Sequence, residues 1–152
     1  MFEFDSNKCF YIKGEEENRI CIYDDPCDEF LHSQGIIYCG VTKVQFGDSI
    51  FNVIVADSNF LELDDNARVF FINHEIGHVK YDHNYTRRLY ILRALGFLPK
   101  MEVKADCYAA AVIGKDVAKA ALRSMIVNKK LPLASRLEMV KRYFRIKEVP
   151  LD

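Results

Sequence analysis

A chain of 152 residues that is 50% hydrophobic and 28% charged, with only 7 Gly and 4 Pro, has the size of one ordinary domain and too much apolar material for a disordered segment or linker. The formal net charge of -1 excludes a general polyanion binder, and no apolar run approaches the ~20 residues a membrane span needs. A domain of this length buries roughly 70% of the surface its unfolded chain exposes, so a metal found in it is expected to serve function rather than folding.

The first sixty residues carry short β-like runs at Cys9–Ile12, Ile20–Tyr23, Ile36–Val44 and Ile50–Ala56. Lys13-Gly14, Asp24-Asp25-Pro26, Gly35 and Gly47-Asp48 separate them with turn chemistry. After Leu63 the hydrophobic period changes from two to about 3.6. A first helix is predicted over 65–83 with Asp64 or Asp65 as its N-cap, and a second over Arg87–Leu95 stopped by Gly96 and Pro99. Three more follow, from Pro99 or Lys100 to Ile113, over about 116–127, and from Pro132 or Leu133 to about Arg145. Strands followed by helices give an α+β fold: a small antiparallel or mixed sheet over 1–63, packed on helices over 64–147, in a single domain.

Charge is unevenly distributed. Residues 1–30 hold nine acids against Lys8, Lys13 and Arg19, a net of -6, and residues 115–147 hold ten Lys and Arg against Asp116 and Glu138, a net of +8. Solvated helix faces that attract the acidic N-terminal part account for this gradient, so neither nucleic acid nor membrane is expected as a partner. Cys9, Cys21, Cys27, Cys39 and Cys107 form no C-x-x-C pair and follow no secretory signal pattern. Reduced thiols and a cytoplasmic location are therefore expected.

The chemistry centres on His74-Glu75-Ile76-Gly77-His78, an H-E-x-x-H pattern inside the first predicted helix. At about 100° per residue the two histidines lie roughly 40° apart and one turn along the axis, so both imidazoles can reach one metal ion. Glu75 lies roughly 60° from His78, placed to meet a metal-bound water but badly aimed as a ligand. Val69, Ile72, Ile76 and Val79 cluster on the opposite side and are predicted to face the core, leaving the motif to line a cleft. His83 is out of register for a metzincin third ligand. On a continuing helix it points about 180° from His74, which gives it a structural role near the helix C-terminus. His32 is isolated upstream and suits a surface or turn role.

A catalytic zinc usually takes three protein ligands and a water. Glu102 is the best third candidate, because Asp106 follows at i+4 on the same helix face and is placed to accept a hydrogen bond from a ligand imidazole. Ala105, Ala109, Ala110 and Ala111 keep parts of that helix thin enough for close approach to its neighbour. Cys107 points roughly 140° from Glu102 and is expected to be a buried, inert thiol.

His74-Glu75-x-x-His78 joined to Glu102-x-x-Ala105-Asp106, with 23 residues between His78 and Glu102, resembles the gluzincin metallopeptidases. The likeness is to small soluble minimal gluzincins and to the M48-like and ImmA/IrrE-like peptidases, and it covers roughly residues 50–140. Asp57–Leu63, Asp106–Ala110 and Pro132–Leu137 look like the M48 side of that group. The resemblance implies Glu102 as third zinc ligand and Asp106 as support for a histidine.

The activity expected is hydrolysis of a peptide or protein substrate with one Zn2+ per chain. Zinc held by His74, His78 and Glu102 would acidify its water, and Glu75 would take the proton and pass it to the leaving amine. The run Phe51–Val55 would receive an extended substrate at a sheet edge, or serve as an ordinary buried strand. Arg136, Tyr108 and Tyr143 are candidate oxyanion stabilisers that spacing does not separate. Two alternatives belong to other classes: a non-catalytic protein-binding module that keeps the fold, and a deformylase-like hydrolase with Cys39 as an upstream thiolate ligand.

Overall fold

The computed structural model describes residues 2–12, 19–36, 38–83 and 87–148. The fold is α+β and divides into two compact units, Met1–Leu63 and Asp64–Asp152. The boundary falls where the sequence changes from strand-like to helix-like periodicity.

In the first unit, β1 (Cys9–Ile12), β2 (Ile20–Tyr23), β3 (Cys39–Phe46) and β4 (Ser49–Ala56) form one sheet in the order β1-β2-β4-β3. The β1–β2 and β3–β4 pairs are antiparallel and the β2–β4 pair is parallel. Gly47, at φ 60, makes the β3–β4 turn. The Lys13-Gly14 turn lies outside the described residues, as does Ile37 in the expected strand from Ile36; β3 itself starts at Cys39. Alternation puts Phe51, Val53 and Val55 on one face of β4, where they pack with Cys21, Tyr23 and Leu31. Leu31 comes from α1 (Asp28–Ser33), a six-residue helix too short for periodicity to reveal. A second short helix, α2 (Ser58–Leu61), starts at buried Asp57, whose carboxylate accepts from the Phe60, Tyr38 and His32 nitrogens. His32 lies in the last turn of α1 and is exposed, which fits the surface role expected of it rather than a turn.

Two expectations are corrected here. The thiols are not all free: Cys9 and Cys21 form a disulfide across the β1–β2 pair, and Cys27, Cys39 and Cys107 are the free cysteines. Their Cα atoms lie 5.4 Å apart, inside the range a disulfide bridges, because strand register brings together two cysteines with no telling sequence spacing. Nor is Phe51–Val55 available for strand addition. It belongs to β4, which β2 and β3 flank on both sides, so its backbone groups are already committed to the ladder.

The second unit holds α3 (Asp65–Lys80), α4 (Arg87–Ala94), α5 (Lys100–Ile113), α6 (Lys115–Val127) and α7 (Leu133–Glu148). Asp64 caps α3 by accepting from Ala67 N–H at 2.8 Å. Gly96 and Gly114, at φ 87 and 95, follow α4 and α5 in backbone conformations that favour glycine. Helix α3 packs on α5 and α6, and α7 packs on α5 and α6. Ala105, Ala109, Ala118 and Ala121 are buried in this bundle, which lets the helices approach closely.

The burial of α3 is the reverse of its polarity. Ala67, Phe70, Phe71, His74, Glu75, Gly77 and His78 are buried, whereas Val69 is 43% exposed. Ile72, Ile76 and Val79 are half-buried. The polar motif can face inward because α5 and α7 present carboxylates and a guanidinium to it, and a buried polar group is tolerated once it is paired. Hydrophobicity alone therefore points the helix the wrong way. Among the described residues, no helix is long and apolar enough to cross a membrane.

Candidate metal centre

His74 and His78 stand one turn apart on α3, and their Nε2 atoms lie 3.0 Å from each other. Glu102, in the first turn of α5, presents one carboxylate oxygen to each, at 3.3 Å from both Nε2 atoms. The three residues are buried and offer ligand atoms within 4.8 Å of one another, a group that could hold a metal ion. Donors around a tetrahedral ion with bonds of ~2.05 Å would stand about 3.3 Å apart, so this two-nitrogen, one-oxygen set fits such an ion. The group contains no thiolate, and Cys39 lies on β3 in the first unit.

Close approach of α3 and α5 is what brings Glu102 to the imidazoles. A Cβ built on Gly77 would stand 3.0 Å from Ala105 Cα and 3.2 Å from Ala105 O. Those are backbone atoms, which cannot turn aside as a side-chain tip would. Glycine inside the motif is therefore a packing requirement of the α3–α5 contact.

The outer nitrogens of both imidazoles are occupied. His74 Nδ1 lies 2.7 Å from Asp106 Oδ1, as the i+4 spacing from Glu102 predicts. Arg142 of α7 grips the same carboxylate with two bonds, Nε to Oδ2 at 2.8 Å and Nη2 to Oδ1 at 2.6 Å. The 3.1 Å approach of Arg142 Nη2 to His74 Nδ1 follows from two donors sharing Oδ1. Arg142 is itself buried, with its guanidinium 5.9 Å from the ring centroids of Phe70 and Phe71. His78 Nδ1 meets His83 Nδ1 at 2.9 Å.

This last contact corrects the reading of His83. Helix α3 ends at Lys80, with Tyr81 as C-cap and Asp82 at φ 48, so the chain reverses and carries His83 back toward His78. A continuing helix would have pointed it away. Arg93 of α4 was also not foreseen: its Nη1 lies 3.7 Å from Glu102 Oε1, and it pairs with Glu138 of α7 through Nε and Nη2 at 2.9 and 2.6 Å. Of the oxyanion candidates, Arg136 and Tyr143 have partners of their own. Arg136 Nε donates to the Ile126 carbonyl at 2.7 Å, and Tyr143 Oη accepts from Arg123 at 3.0 Å. Tyr108 packs its Cβ on Gly77, with the Lys80 ammonium over its ring. Cys107 is half-buried rather than buried, and burial first, then the Asp106 charge, pushes its thiol above the usual value.

Charge in the site is strongly coupled. Burial raises Glu102, but the hydrogen bonds and charge of the imidazoles hold it well below the carboxylate range. Burial and Arg142 push His74 down, yet Asp106 and Glu102 outweigh them and lift it to about 9. His78 moves down, chiefly through burial. Glu75, buried and lying between His74 and His78 in sequence, is raised to about 7 by burial first and then by the Glu102 charge.

Compared with family models, with curated proteins and with solved structures, the chain matches none of them.

Proposed function

We propose that the protein is a zinc-dependent peptidase of gluzincin type, with His74, His78 and Glu102 as ligands and Glu75 as general base. The single observation that carries this reading is the buried convergence of His74 Nε2, His78 Nε2 and the Glu102 carboxylate beside Glu75 in the chain. Zinc bound there would supply Lewis acidity, polarising a carbonyl and acidifying a water.

The chain's own groups supply the rest. Asp106 accepts from His74 Nδ1–H, which leaves the Nε2 lone pair free for coordination, and Arg142 keeps that carboxylate ionised and aimed. Arg93 brings a positive charge to Glu102 from outside the ligand set and is itself restrained by Glu138. Glu75, buried and directly after His74 in the chain, would accept a proton from the attacking water and return it to the leaving amine. A nearby dication favours its carboxylate form, the form a base needs.

The cytoplasmic setting expected from the sequence stands against the Cys9–Cys21 disulfide, since disulfides persist mainly in oxidising compartments. The proposed activity is tested by incubating the zinc-loaded protein with a cell lysate and mapping new peptide termini by mass spectrometry. New termini that appear with wild type and not with Glu75→Gln support it. Their absence from well-metallated wild type across a wide substrate panel favours a non-catalytic binding module instead.

A further inference from the structure

We infer that His83 is a positioning residue of the metal centre, fixing the tautomer and orientation of the ligand imidazole of His78 through their Nδ1–Nδ1 hydrogen bond. The inference rests on the proposed zinc site and adds to it a residue outside the H-E-x-x-H pattern and the Glu102 helix.

The contact is held by backbone as well as side chain. His83 N–H donates to the His78 carbonyl at 2.9 Å, and Asp82 N–H donates to the Val79 carbonyl at 3.1 Å. With Asp82 at φ 48, these two bonds form the Schellman end of α3. His83 is thus tied to His78 twice, once through the main chain and once through the 2.9 Å bond between rings. Its ring also lies 5.6 Å from that of Tyr81 at an interplanar angle of 31°. Tyr81 in turn carries the Lys104 ammonium 4.0 Å from its centroid.

Chemistry fixes the direction of the bond. For His78 to offer Nε2 to a metal, its ring proton must sit on Nδ1 and needs an acceptor there. His83 Nδ1 then accepts, and the His83 proton sits on Nε2. The opposite arrangement, with His83 Nδ1–H donating, would place the His78 proton on Nε2 and close that nitrogen to the metal. The two ligand imidazoles are therefore oriented by different partners, a carboxylate at His74 and a second imidazole at His78.

Zinc affinity measured by competition with a chromophoric chelator tests the inference in wild type, His83→Ala, His83→Phe and His83→Asn. Loss of the acceptor in His83→Ala and His83→Phe is expected to weaken zinc binding about 10–100-fold, with full loading still reached at saturating metal. His83→Asn, whose amide oxygen is an acceptor, is expected to recover most of that loss. In zinc-loaded wild type, 15N NMR of the imidazoles is expected to report an unprotonated Nδ1 and a protonated Nε2 for His83. Unchanged affinity in His83→Phe, equal weakening in all three variants, or a protonated His83 Nδ1 would overturn the inference and leave the zinc site standing. Failure of wild type to bind zinc would instead overturn the site on which the inference rests.

Discussion

Glu75 and the histidines beside it illustrate what one residue's surroundings decide. Its carboxyl is raised to about 7, by burial and then by Glu102, whereas Glu102, equally enclosed, is held low by two imidazoles. Replacing Glu75 with Gln is expected to leave zinc and fold intact while hydrolysis falls by at least ~10²–10⁴-fold, the usual contribution of general acid-base catalysis. Zinc content and cleavage rate measured on the same preparation check this, and wild-type cleavage with zinc bound would contradict it. For Cys107, burial favours the thiol over the thiolate, so alkylation at pH 7 is expected to be slower than that of an exposed cysteine, measured by peptide mapping. His74, Glu75, His78, Glu102 and Asp106 were legible in the sequence because helical spacing alone puts them on usable faces. Arg142 was not. It is one of ten basic residues in a basic stretch, 36 positions from Asp106, and only the packing of α7 on α5 distinguishes it.

Two contacts between helices hold the ligand set together. Gly77→Ala would place a Cβ 3.0 Å from Ala105 Cα, forcing α5 away from α3 and Glu102 away from the imidazoles. Overpacking of this kind costs about 1–3 kcal/mol, and weaker zinc binding is expected with it, measured by urea unfolding and chelator competition. The Asp106–Arg142 pair joins α5 to α7. Removing one partner of a buried pair costs about 3–5 kcal/mol, so Arg142→Met in the presence of chelator is expected to lose that much at pH 7. Against burial, Arg142 and His74 hold Asp106 below its ordinary 3.8. The stabilisation is therefore complete above that pH and is lost as pH falls through the lower folded value. The gap between wild type and Arg142→Met should narrow in acid for that reason, and a gap that widens there would contradict the assignment. Helix positions were read well where caps and breakers were strong, as at Asp64, Gly96, Pro99 and Gly114. The end of α3 was misread, since nothing in Tyr81-Asp82-His83 announces a reversal that Asp82 makes without glycine.

For the molecule as a whole, the change of period after Leu63 was legible and matches the division into two units, but the sheet order was not. Strand pairing depends on long-range contacts such as the parallel β2–β4 pair, which no local signal encodes. The same register brings Cys9 to Cys21. Alkylation under denaturing, non-reducing conditions is expected to modify three cysteines, Cys27, Cys39 and Cys107. Reduction should lower stability by up to ~3 kcal/mol, in line with closure of a short loop. A cooperative unfolding transition is expected to survive removal of metal, because a domain of this size has enough core without it.

Whether His74, His78 and Glu102 hold a metal is decided by metal analysis of purified wild type beside Glu102→Ala. A His74, His78 and Glu102 ligand set predicts about one zinc per chain in wild type and loss of stoichiometric zinc in the variant. A wild type that takes up no zinc, or a Glu102→Ala variant that keeps a full equivalent, would contradict it.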